Sequence, residues 1–204
     1  MVRAVFFDVG ETLVDETRLW GAWADALGIP WFTFMGVIGG LIERGDHHDR
    51  AFEVLAPGFE PLLENETFDL EDLYPDAVPC LSRLREAGYV VGVAGNQSAR
   101  LESVLRDLDL PIDVIASSAS LEVEKPSPLF FERLAAKSGV DPAESAYVGD
   151  RLDNDVQPAR EAGMVGVFLK RGPWAHLHAH DVASSRPDVK IDSLDELPDA
   201  LPGA

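Results

Sequence analysis

The chain has 204 residues, and 46% of them are hydrophobic, so it can bury one sizeable core. Its 36 acidic residues outnumber its 17 basic ones, which gives a formal net charge of -19 at pH 7. A chain this acidic repels the phosphates of nucleic acids and anionic lipid surfaces, so we expect neither as a partner. An anionic small molecule would need local positive charge or a bound cation.

The cysteine content and the N-terminus bear on the compartment. The single cysteine, Cys80, cannot form an internal disulfide bond, which is typical of a reducing compartment. The N-terminus lacks a basic segment followed by an apolar core and a cleavage site, and the longest apolar patch is shorter than a membrane span. We therefore expect a cytoplasmic protein without a transmembrane segment.

Short apolar runs with the length of buried strands alternate with segments of helical period along most of the chain. The runs predict strands at residues 4–7, 89–94, 112–115, 146–148 and 166–169. The segments between them predict helices at residues 78–87, 99–108, 128–138 and 154–162. This alternation is typical of an α/β protein with a doubly wound, Rossmann-like parallel sheet, whose functional groups lie at the carboxyl ends of strands.

The alternation is interrupted directly after the first strand. No strand signal occurs between residues 16 and 73, where helical patterns cover residues 19–27, 32–43 and 48–55. We therefore predict a small all-helical cap at residues 16–73, inserted into a core formed by residues 1–15 and 74–204. The tail predicts a loop at residues 172–186, a strand at 189–191 and a final helix opened by Asp192 or Ser193.

The first predicted strand ends in Asp8, with Gly10 and Thr12 shortly after it. Taken alone, an aspartate after a strand is weak evidence of catalysis, because aspartate often stabilises turns for structural reasons. The position gains weight only if other strands end in complementary groups.

The fourth predicted strand ends in a second acidic group. Gly149 and Asp150 follow the apolar run, and Asp153, Asn154 and Asp155 precede the next helix. Oxygen ligands at two strand ends are what Mg²⁺ prefers. An acidic cap that complements the helix dipole would also explain Asp153 or Asn154, but it explains Asp150 less well, because Asp150 comes before the cap.

Lys125 lies in the loop between these two acidic strand ends. It is one of only four lysines in the chain, and Pro126 after it restricts its backbone to extended geometry. Most lysines are solvated surface residues, yet this position makes Lys125 a candidate for neutralising anionic charge.

Together these motifs resemble those of the haloacid dehalogenase superfamily, whose members are mostly Mg²⁺-binding phosphohydrolases. The resemblance covers nearly the whole chain, in four ordered motifs at strand ends: Asp8, Gly95-Asn96, Lys125-Pro126, and Gly149-Asp150 with Asp155. The helical insert lies where members with a type 1 cap carry theirs.

The resemblance implies a set of roles. Asp8 would be the nucleophile that forms an aspartyl-phosphate, and Lys125 would stabilise both the nucleophile and the phosphoryl charge. Thr12 would order the nucleophile loop. Mg²⁺ would be held by Asp8, the carbonyl of Gly10, Asp150 and Asp155. The cation and Lys125 would make a very acidic protein locally attractive to a small phosphorylated metabolite.

Two glycines depart from the family pattern. The family's phosphatases carry an acid/base aspartate at the position of Gly10, and such a group contributes about 10² to 10⁴ in rate. Glu11 is the nearest replacement, and Gly10→Asp should raise turnover if the missing group is limiting. At Gly95 the usual hydroxyl for the phosphoryl oxygens is lost, which leaves the backbone N–H groups of Gly95 and Asn96, or the side chain of Asn96 or Ser98. Asn96 and Gln97 could equally cap the next helix.

The departures leave two alternatives to a phosphatase. Dehalogenase members also lack the second aspartate, but they use no Mg²⁺ and lack the paired acids that Asp150 and Asp155 provide here. A catalytically degraded member, retained for ligand binding or interaction, is the other alternative. A phosphonatase-like activity is disfavoured, because its cap lysine is missing from residues 15–80.

Two histidine-bearing segments are candidates for binding a substrate or a metal ion. Near GDHHDR, the side chains of Arg44, His47, His48 and Arg50 could contact a leaving group, although a polar loop is the simpler interpretation. In WAHLHAH, His176 and His180 could share a helix face, with His178 between them, but a solvated loop is favoured over a metal site.

Overall fold

The structure is a computed structural model that describes residues 1–59, 67–178 and 186–202. Its centre is one six-stranded sheet in which every pairing is parallel and the strand order is β3-β2-β1-β4-β5-β6. The strands are β1 (Ala4–Phe7), β2 (Val90–Gly95), β3 (Val114–Ser117), β4 (Ser145–Gly149), β5 (Val165–Leu169) and β6 (Val189–Ile191). The predicted doubly wound, Rossmann-like α/β fold is confirmed.

Ten α-helices lie within the described residues: α1 (Thr17–Ala26), α2 (Trp31–Glu43), α3 (Arg50–Leu55), α4 (Ala77–Glu86), α5 (Ala99–Asp107), α6 (Ser118–Leu121), α7 (Pro128–Ser138), α8 (Gln157–Glu161), α9 (Gly172–His178) and α10 (Leu197–Ala200). Short 3₁₀ turns occur at Leu70–Asp72, Pro142–Glu144 and Leu194–Glu196. A π-helical turn, Leu152–Val156, precedes α8, so the helix predicted at 154–162 consists of two different helical pieces.

Strand β1 is buried on both faces of the sheet. Val5 and Phe7 belong to the apolar layer on one face, and Ala4 and Phe6 belong to the layer on the other. All four side chains are completely buried, which explains why this strand is a continuous apolar run without polar alternation.

The strand order reverses direction beside β1, between the β3-β2-β1 half and the β4-β5-β6 half. Ligands of open α/β sheets bind in the crevice at such a switch point, outside the carboxyl ends of the strands. The backbone N–H of Asp8 donates to the Val148 carbonyl at 2.9 Å, which holds Asp8 against the end of β4. The fold therefore brings the ends of β1 and β4 together.

Helices α1, α2 and α3 of the predicted cap form a separate apolar cluster, the cap cluster, with aromatic contacts among Trp20, Trp23, Phe34 and Phe52. Within residues 16–59 and 67–73 no strand occurs, in keeping with the predicted helical insert. Residues 60–66 of that insert lie outside the described residues. The cap boundary at residues 16–73 remains a prediction.

The loop predicted at residues 172–186 is wrong for its first part, because Gly172–His178 is helix α9. Trp174 and Ala175 are buried, and Trp174 packs into the same apolar cluster as α1 to α3. Burial of this apolar face stabilises the helix. Its Gly-Pro start and its histidines are typical of a loop, so the sequence pattern does not predict it. His176 and His178 lie in the helix, whereas His180 lies outside the described residues, so the pairing of His176 with His180 is not tested.

Among the described residues, no single helix is long and apolar enough to cross a membrane. The bent pair α1 and α2, with an angle of 111° between them, meets the length and composition criteria jointly.

Candidate active site

Three carboxylates meet at the switch point of the sheet. Asp8 follows β1, Asp150 follows β4, and Asp155 lies in the π-helical turn that leads from β4 back toward the sheet. One carboxylate oxygen from each lies within 4.8 Å of the others. Gly149 makes this possible, because a β-carbon at that position would collide with the Asp155 side chain.

The Lys125 side chain bridges two of these carboxylates. Its Nζ lies 2.8 Å from Asp8 Oδ1 and 2.6 Å from Asp155 Oδ1, and only 1% of its side chain is exposed. Burial alone would lower the pKa of Lys125, but the attraction of Asp155 and Asp8 is stronger, and the net effect raises that pKa well above its usual value. Lys125 is therefore a fixed positive charge beside Asp8.

The site retains an excess of negative charge despite Lys125. Burial raises the pKa of Asp155 to about 6, and the field of Lys125 opposes this rise. Burial, followed by repulsion from Asp155 and Asp8, raises the pKa of Asp150 well above its usual value. These shifts show that three carboxylates and one ammonium do not balance in a nearly dry environment.

The Asp150 carboxylate also has an unsatisfied oxygen. Its Oδ2 is buried and accepts no hydrogen bond from any described residue. A buried acceptor without a partner is costly, and a cation at this position would satisfy it. Carboxylate oxygens from Asp8, Asp150 and Asp155 are the ligand type that a hard divalent cation prefers. The residues therefore fit such a cation.

The Asn96 side chain contacts the backbone of the lysine loop. Its Nδ2 donates to the Lys125 carbonyl at 2.9 Å, and its Oδ1 accepts from the Lys125 N–H at 2.7 Å. Ser98, not Asn96 or Gln97, provides the N-cap of α5, through its hydroxyl and the Leu101 N–H. The proposed phosphate contact of Asn96 would thus involve its backbone N–H, because its side-chain amide is occupied.

The two glycines that depart from the family pattern, Gly95 and Gly10, each lie close to a carboxylate. A β-carbon at Gly95 would lie 2.8 Å from Asp8 Oδ1, the oxygen that contacts Lys125. A β-carbon at Gly10 would collide with the carboxylate of Glu16, whose Cδ would lie 2.7 Å away. Thr12 is fully buried, and its hydroxyl has no hydrogen-bond partner among the described residues. Its predicted role in ordering the loop is not tested.

The loop after Asp8, which is the predicted nucleophile loop, folds back on itself. The N–H groups of Leu13 and Val14 both donate to the Val9 carbonyl at 2.9 Å, and the Glu11 N–H donates to the Val14 carbonyl at 2.8 Å. This turn brings Glu16, six residues further along the chain, against Gly10.

Glu11 is held within the nucleophile loop by hydrogen bonds to both of its carboxylate oxygens. It is buried, adopts a left-handed backbone with a φ of 52°, and accepts hydrogen bonds from Tyr74 Oη at 2.8 Å and the Glu16 N–H at 3.1 Å. Burial raises the pKa of Glu11. Gly172 at the start of α9 packs so closely on Glu11 that a β-carbon there would lie 2.6 Å from Glu11 Cβ.

A second network, which sequence reasoning missed, holds the same loop from outside. Arg171 donates to the Thr12 carbonyl at 2.9 Å, pairs with Asp76, and stacks on the Tyr74 ring at 4.1 Å. Arg171 lies 95 positions from Asp76 and 159 positions from Thr12 in the sequence, and no local motif marks these residues. Their contacts are therefore tertiary.

The candidate leaving-group contacts near GDHHDR differ in their surroundings. Arg44 donates to the Gly40 carbonyl and Arg50 pairs with Asp46, so both contact their own helical segment. His48 packs edge-on against Trp174, and burial lowers its pKa to about 4. Recognition of a leaving group by these residues is not tested.

The fold and the cluster define a class: a doubly wound α/β protein with an acidic centre at the switch point of its parallel sheet. The chain belongs to the haloacid dehalogenase-like hydrolases, since the model of that family matches residues 2–163. The resemblance inferred from the four motifs is confirmed.

Curated relatives align with nearly the full chain. A glyceraldehyde 3-phosphate phosphatase of Methanopyrus kandleri is 31% identical over 229 aligned positions, which cover 98% of this chain and 97% of the relative. A phosphoglycolate phosphatase of Nitrosococcus oceani is 28% identical and covers 97% of this chain and 95% of its own length.

Solved structures share the same architecture. A phosphatase of the family from Thermococcus onnurineus superposes with a TM-score of 0.63 at 25% identity, with 97% of each chain covered. An L-2-haloacid dehalogenase from Xanthobacter autotrophicus superposes with a TM-score of 0.69 at 20% identity, with 98% of each chain covered. The second comparison shows the shared fold alone.

Proposed function

We propose that this protein is a phosphatase that hydrolyses small phosphorylated metabolites through an aspartyl-phosphate on Asp8. The observation that carries the proposal is the buried Lys125 ammonium, which bridges Asp8 and Asp155 beside the unsatisfied oxygen of Asp150. This arrangement combines a carboxylate nucleophile, a fixed cation and a set of oxygen ligands in one crevice.

In the proposed reaction, a carboxylate oxygen of Asp8 attacks phosphorus in line with the departing oxygen. Lys125 holds Asp8 in place and stabilises the negative charge on the phosphoryl oxygens as the bond changes occur. The N–H groups of Gly95 and Asn96, at the carboxyl end of β2, bind a phosphoryl oxygen. Water then hydrolyses the aspartyl-phosphate and regenerates Asp8.

The proposed metal is Mg²⁺, held by Asp8, the Gly10 carbonyl, Asp150 and Asp155. When bound, Mg²⁺ would neutralise phosphoryl charge and orient the substrate. The three-carboxylate cluster supports this assignment over a metal-independent dehalogenase, for which two further buried carboxylates beside Asp8 would only add uncompensated charge.

The proposed substrates are short phosphate monoesters, because the relatives named above are phosphatases of glyceraldehyde 3-phosphate and of phosphoglycolate. These two compounds, together with longer sugar phosphates, form the first substrate panel. The panel also measures chain-length preference, which the cap would set.

The function is tested by phosphate release from this panel with Mg²⁺ and with EDTA. We expect Mg²⁺-dependent hydrolysis that falls below detection in Asp8→Asn, because the amide is a poor nucleophile. Asp15→Asn is the matched control, since it makes the same change in a carboxylate that accepts a hydrogen bond from the Thr17 N–H. That control should retain most of the activity.

The same preparation is tested in parallel with 2-haloacids. Halide release that is indifferent to EDTA would contradict the phosphatase proposal and favour a dehalogenase. Absence of turnover with every phosphate ester and haloacid, in a protein that still binds Mg²⁺ by calorimetry, would favour the degraded member.

A further inference from the structure

Phosphate ester hydrolysis through Asp8 needs a proton-transferring group that the cluster does not supply. The departing alkoxide must be protonated, and the water that attacks the aspartyl-phosphate must lose a proton. Asp8 is the nucleophile, whereas Asp150 and Asp155 are buried. Lys125 carries a fixed charge between two carboxylates.

Glu11, the nearest carboxylate to Gly10 along the sequence, already has partners within the loop. Both of its carboxylate oxygens accept hydrogen bonds from within the loop, one from Tyr74 and one from the Glu16 N–H. Gly172 closes over its side chain. A carboxylate held in this way stabilises the loop, and it would have to break one of these hydrogen bonds before it could transfer a proton.

Glu16 is placed differently. Its carboxylate occupies the space beside the Gly10 α-carbon into which a side chain at position 10 would project. Its Cδ lies 2.7 Å from the site of a β-carbon on Gly10, within the reach of an aspartate side chain built there. Gly10 is two residues from Asp8, so the Glu16 carboxylate lies beside the nucleophile loop. Glu16 is also only partly buried.

Trp20 fixes the orientation of this carboxylate. The indole N–H of Trp20 donates to Glu16 Oε2 at 3.1 Å, and the other oxygen, Oε1, is the one closest to Gly10. Trp20 itself is buried in the cap cluster. Trp20 thus contacts Oε2 from α1, and Oε1 lies beside Gly10 in the nucleophile loop.

We propose that Glu16 is the acid/base of the reaction, with its carboxylate in the space that the absence of a side chain at Gly10 leaves open. This inference rests on the proposed function. A glycine at position 10 is then required, because a larger side chain would collide with the catalytic carboxylate.

The two half-reactions balance as follows. Asp8 forms a bond to phosphorus while the bond from phosphorus to the ester oxygen breaks, and the Glu16 carboxyl gives its proton to that oxygen, which releases the alcohol. Glu16, now a carboxylate, takes a proton from water as the water oxygen bonds to phosphorus. The bond between phosphorus and Asp8 breaks, which yields inorganic phosphate, the Asp8 carboxylate and the protonated Glu16.

The first experiment compares Glu16→Gln with two leaving groups. With an alkyl phosphate such as glycerol phosphate, we expect kcat/KM to fall by about 10² to 10⁴, the usual contribution of a general acid. With 4-nitrophenyl phosphate, whose leaving group needs little protonation, the fall in kcat/KM should be below about tenfold. The aspartyl-phosphate should also accumulate, seen as a burst of 4-nitrophenolate close to one equivalent of enzyme.

A structural role for Glu16 would not produce this pattern. Equal losses of kcat/KM for both leaving groups without a burst, or wild-type kinetics, would overturn the inference. Glu71→Gln is the matched control, because it removes an exposed carboxylate from the second connection between insert and core and should leave kinetics unchanged. Circular dichroism melts of each variant monitor folding.

The second experiment tests whether the Glu16 carboxylate and a side chain at position 10 would occupy the same space. Gly10→Asp in the wild-type background should not raise turnover, because two carboxylates would compete for one position. In the Glu16→Ala background the same change should restore kcat/KM for the alkyl phosphate to within about tenfold of wild type, since a side chain at position 10 can replace the lost group. The inference would be contradicted if Gly10→Asp failed to rescue Glu16→Ala and if Gly10→Asp alone increased turnover.

The two proposals fail in different ways. If the wild type releases phosphate and Asp8→Asn does not, but Glu16→Gln behaves as wild type, the phosphatase function stands and the role of Glu16 is refuted. If the wild type releases no phosphate from any ester, both proposals are refuted.

Discussion

Asn96 shows how one side chain can position another. Two hydrogen bonds from its amide hold the Lys125 backbone, and the Lys125 ammonium then reaches Asp8 and Asp155. The amide of asparagine suits this task, because its donor and its acceptor match the carbonyl and the N–H of the Lys125 backbone.

We expect Asn96→Ala to lower kcat by roughly tenfold with little change in KM, because each lost hydrogen bond is worth about 1 kcal/mol and the lysine would be less well fixed. Steady-state kinetics on an alkyl phosphate measure the split between kcat and KM. The same substitution in a Lys125→Met background should have almost no further effect, since the residue acts through Lys125. An undiminished effect in that background would show a direct role for Asn96.

Sequence reasoning placed part of this centre and missed the rest, for a physical reason. Asp8 and Asp150 follow apolar strands, so the fold class alone predicts that they approach each other. Glu16 and Gly10 approach only because the loop after Val9 turns back, and the hydrogen bonds of that turn leave no local signature. Tyr74 and Arg171 meet through tertiary packing and could not be paired from one sequence.

At the scale of elements, α9 connects the core to the helical insert. It begins directly after Arg171, which holds the nucleophile loop, and its Trp174 is buried among the aromatic side chains of the insert. Trp174 also lies 5.3 Å from the Arg151 guanidinium in a cation–π contact. Arg151 is the residue directly after Asp150, so α9 lies next to the loop after β4 as well as to the loop after β1.

We expect Trp174→Ala to lower the free energy of unfolding by about 3 kcal/mol, because truncating a buried tryptophan leaves a cavity. The substitution should increase the rate of hydrogen–deuterium exchange more in α2 than in β1, since the cavity lies against the insert. Urea unfolding and exchange measurements check both points. The matched control is Phe32→Ala, because Phe32 is 89% exposed and its truncation should change the free energy by less than about 0.5 kcal/mol.

Local signals decided which elements could be predicted. Strand β1 and helix α7 have the predicted bounds, because the first is a short apolar run and the second begins with proline and ends before a left-handed Gly139. Helix α9 was missed because glycine and proline precede its apolar residues. Its stability comes from Trp174 in the cap cluster, which is a tertiary contact.

At the scale of the whole molecule, the net charge of -19 opposes compaction, because exposed acids repel each other across the surface. Ion pairs such as Arg171 with Asp76, and Lys125 with Asp8 and Asp155, compensate some of these charges locally, but 17 basic residues cannot pair with all 36 acidic ones. Screening by salt should therefore stabilise the fold, since the Debye length falls from about 10 Å at 0.1 M to about 3 Å at 1 M.

We expect the melting temperature to rise by several degrees, on the order of 1 kcal/mol of stability, between about 0.05 M and 1 M KCl. Calorimetry at fixed pH measures the shift. A triple variant, Glu43→Gln, Glu86→Gln and Glu161→Gln, removes three exposed negative charges and should show a weaker salt dependence. A melting temperature that is independent of KCl in the wild type would contradict this view of the surface charge.

The position of Trp174 also has a practical meaning for protein engineering. Its side chain belongs to the cap cluster, although the chain reaches it only after β5. A chimaera that transplants residues 16–73 from a relative would leave the recipient's own tryptophan against foreign aromatic partners. Recombination that exchanges the helical insert therefore needs two crossover segments, the insert and Gly172–His178, taken from the same parent.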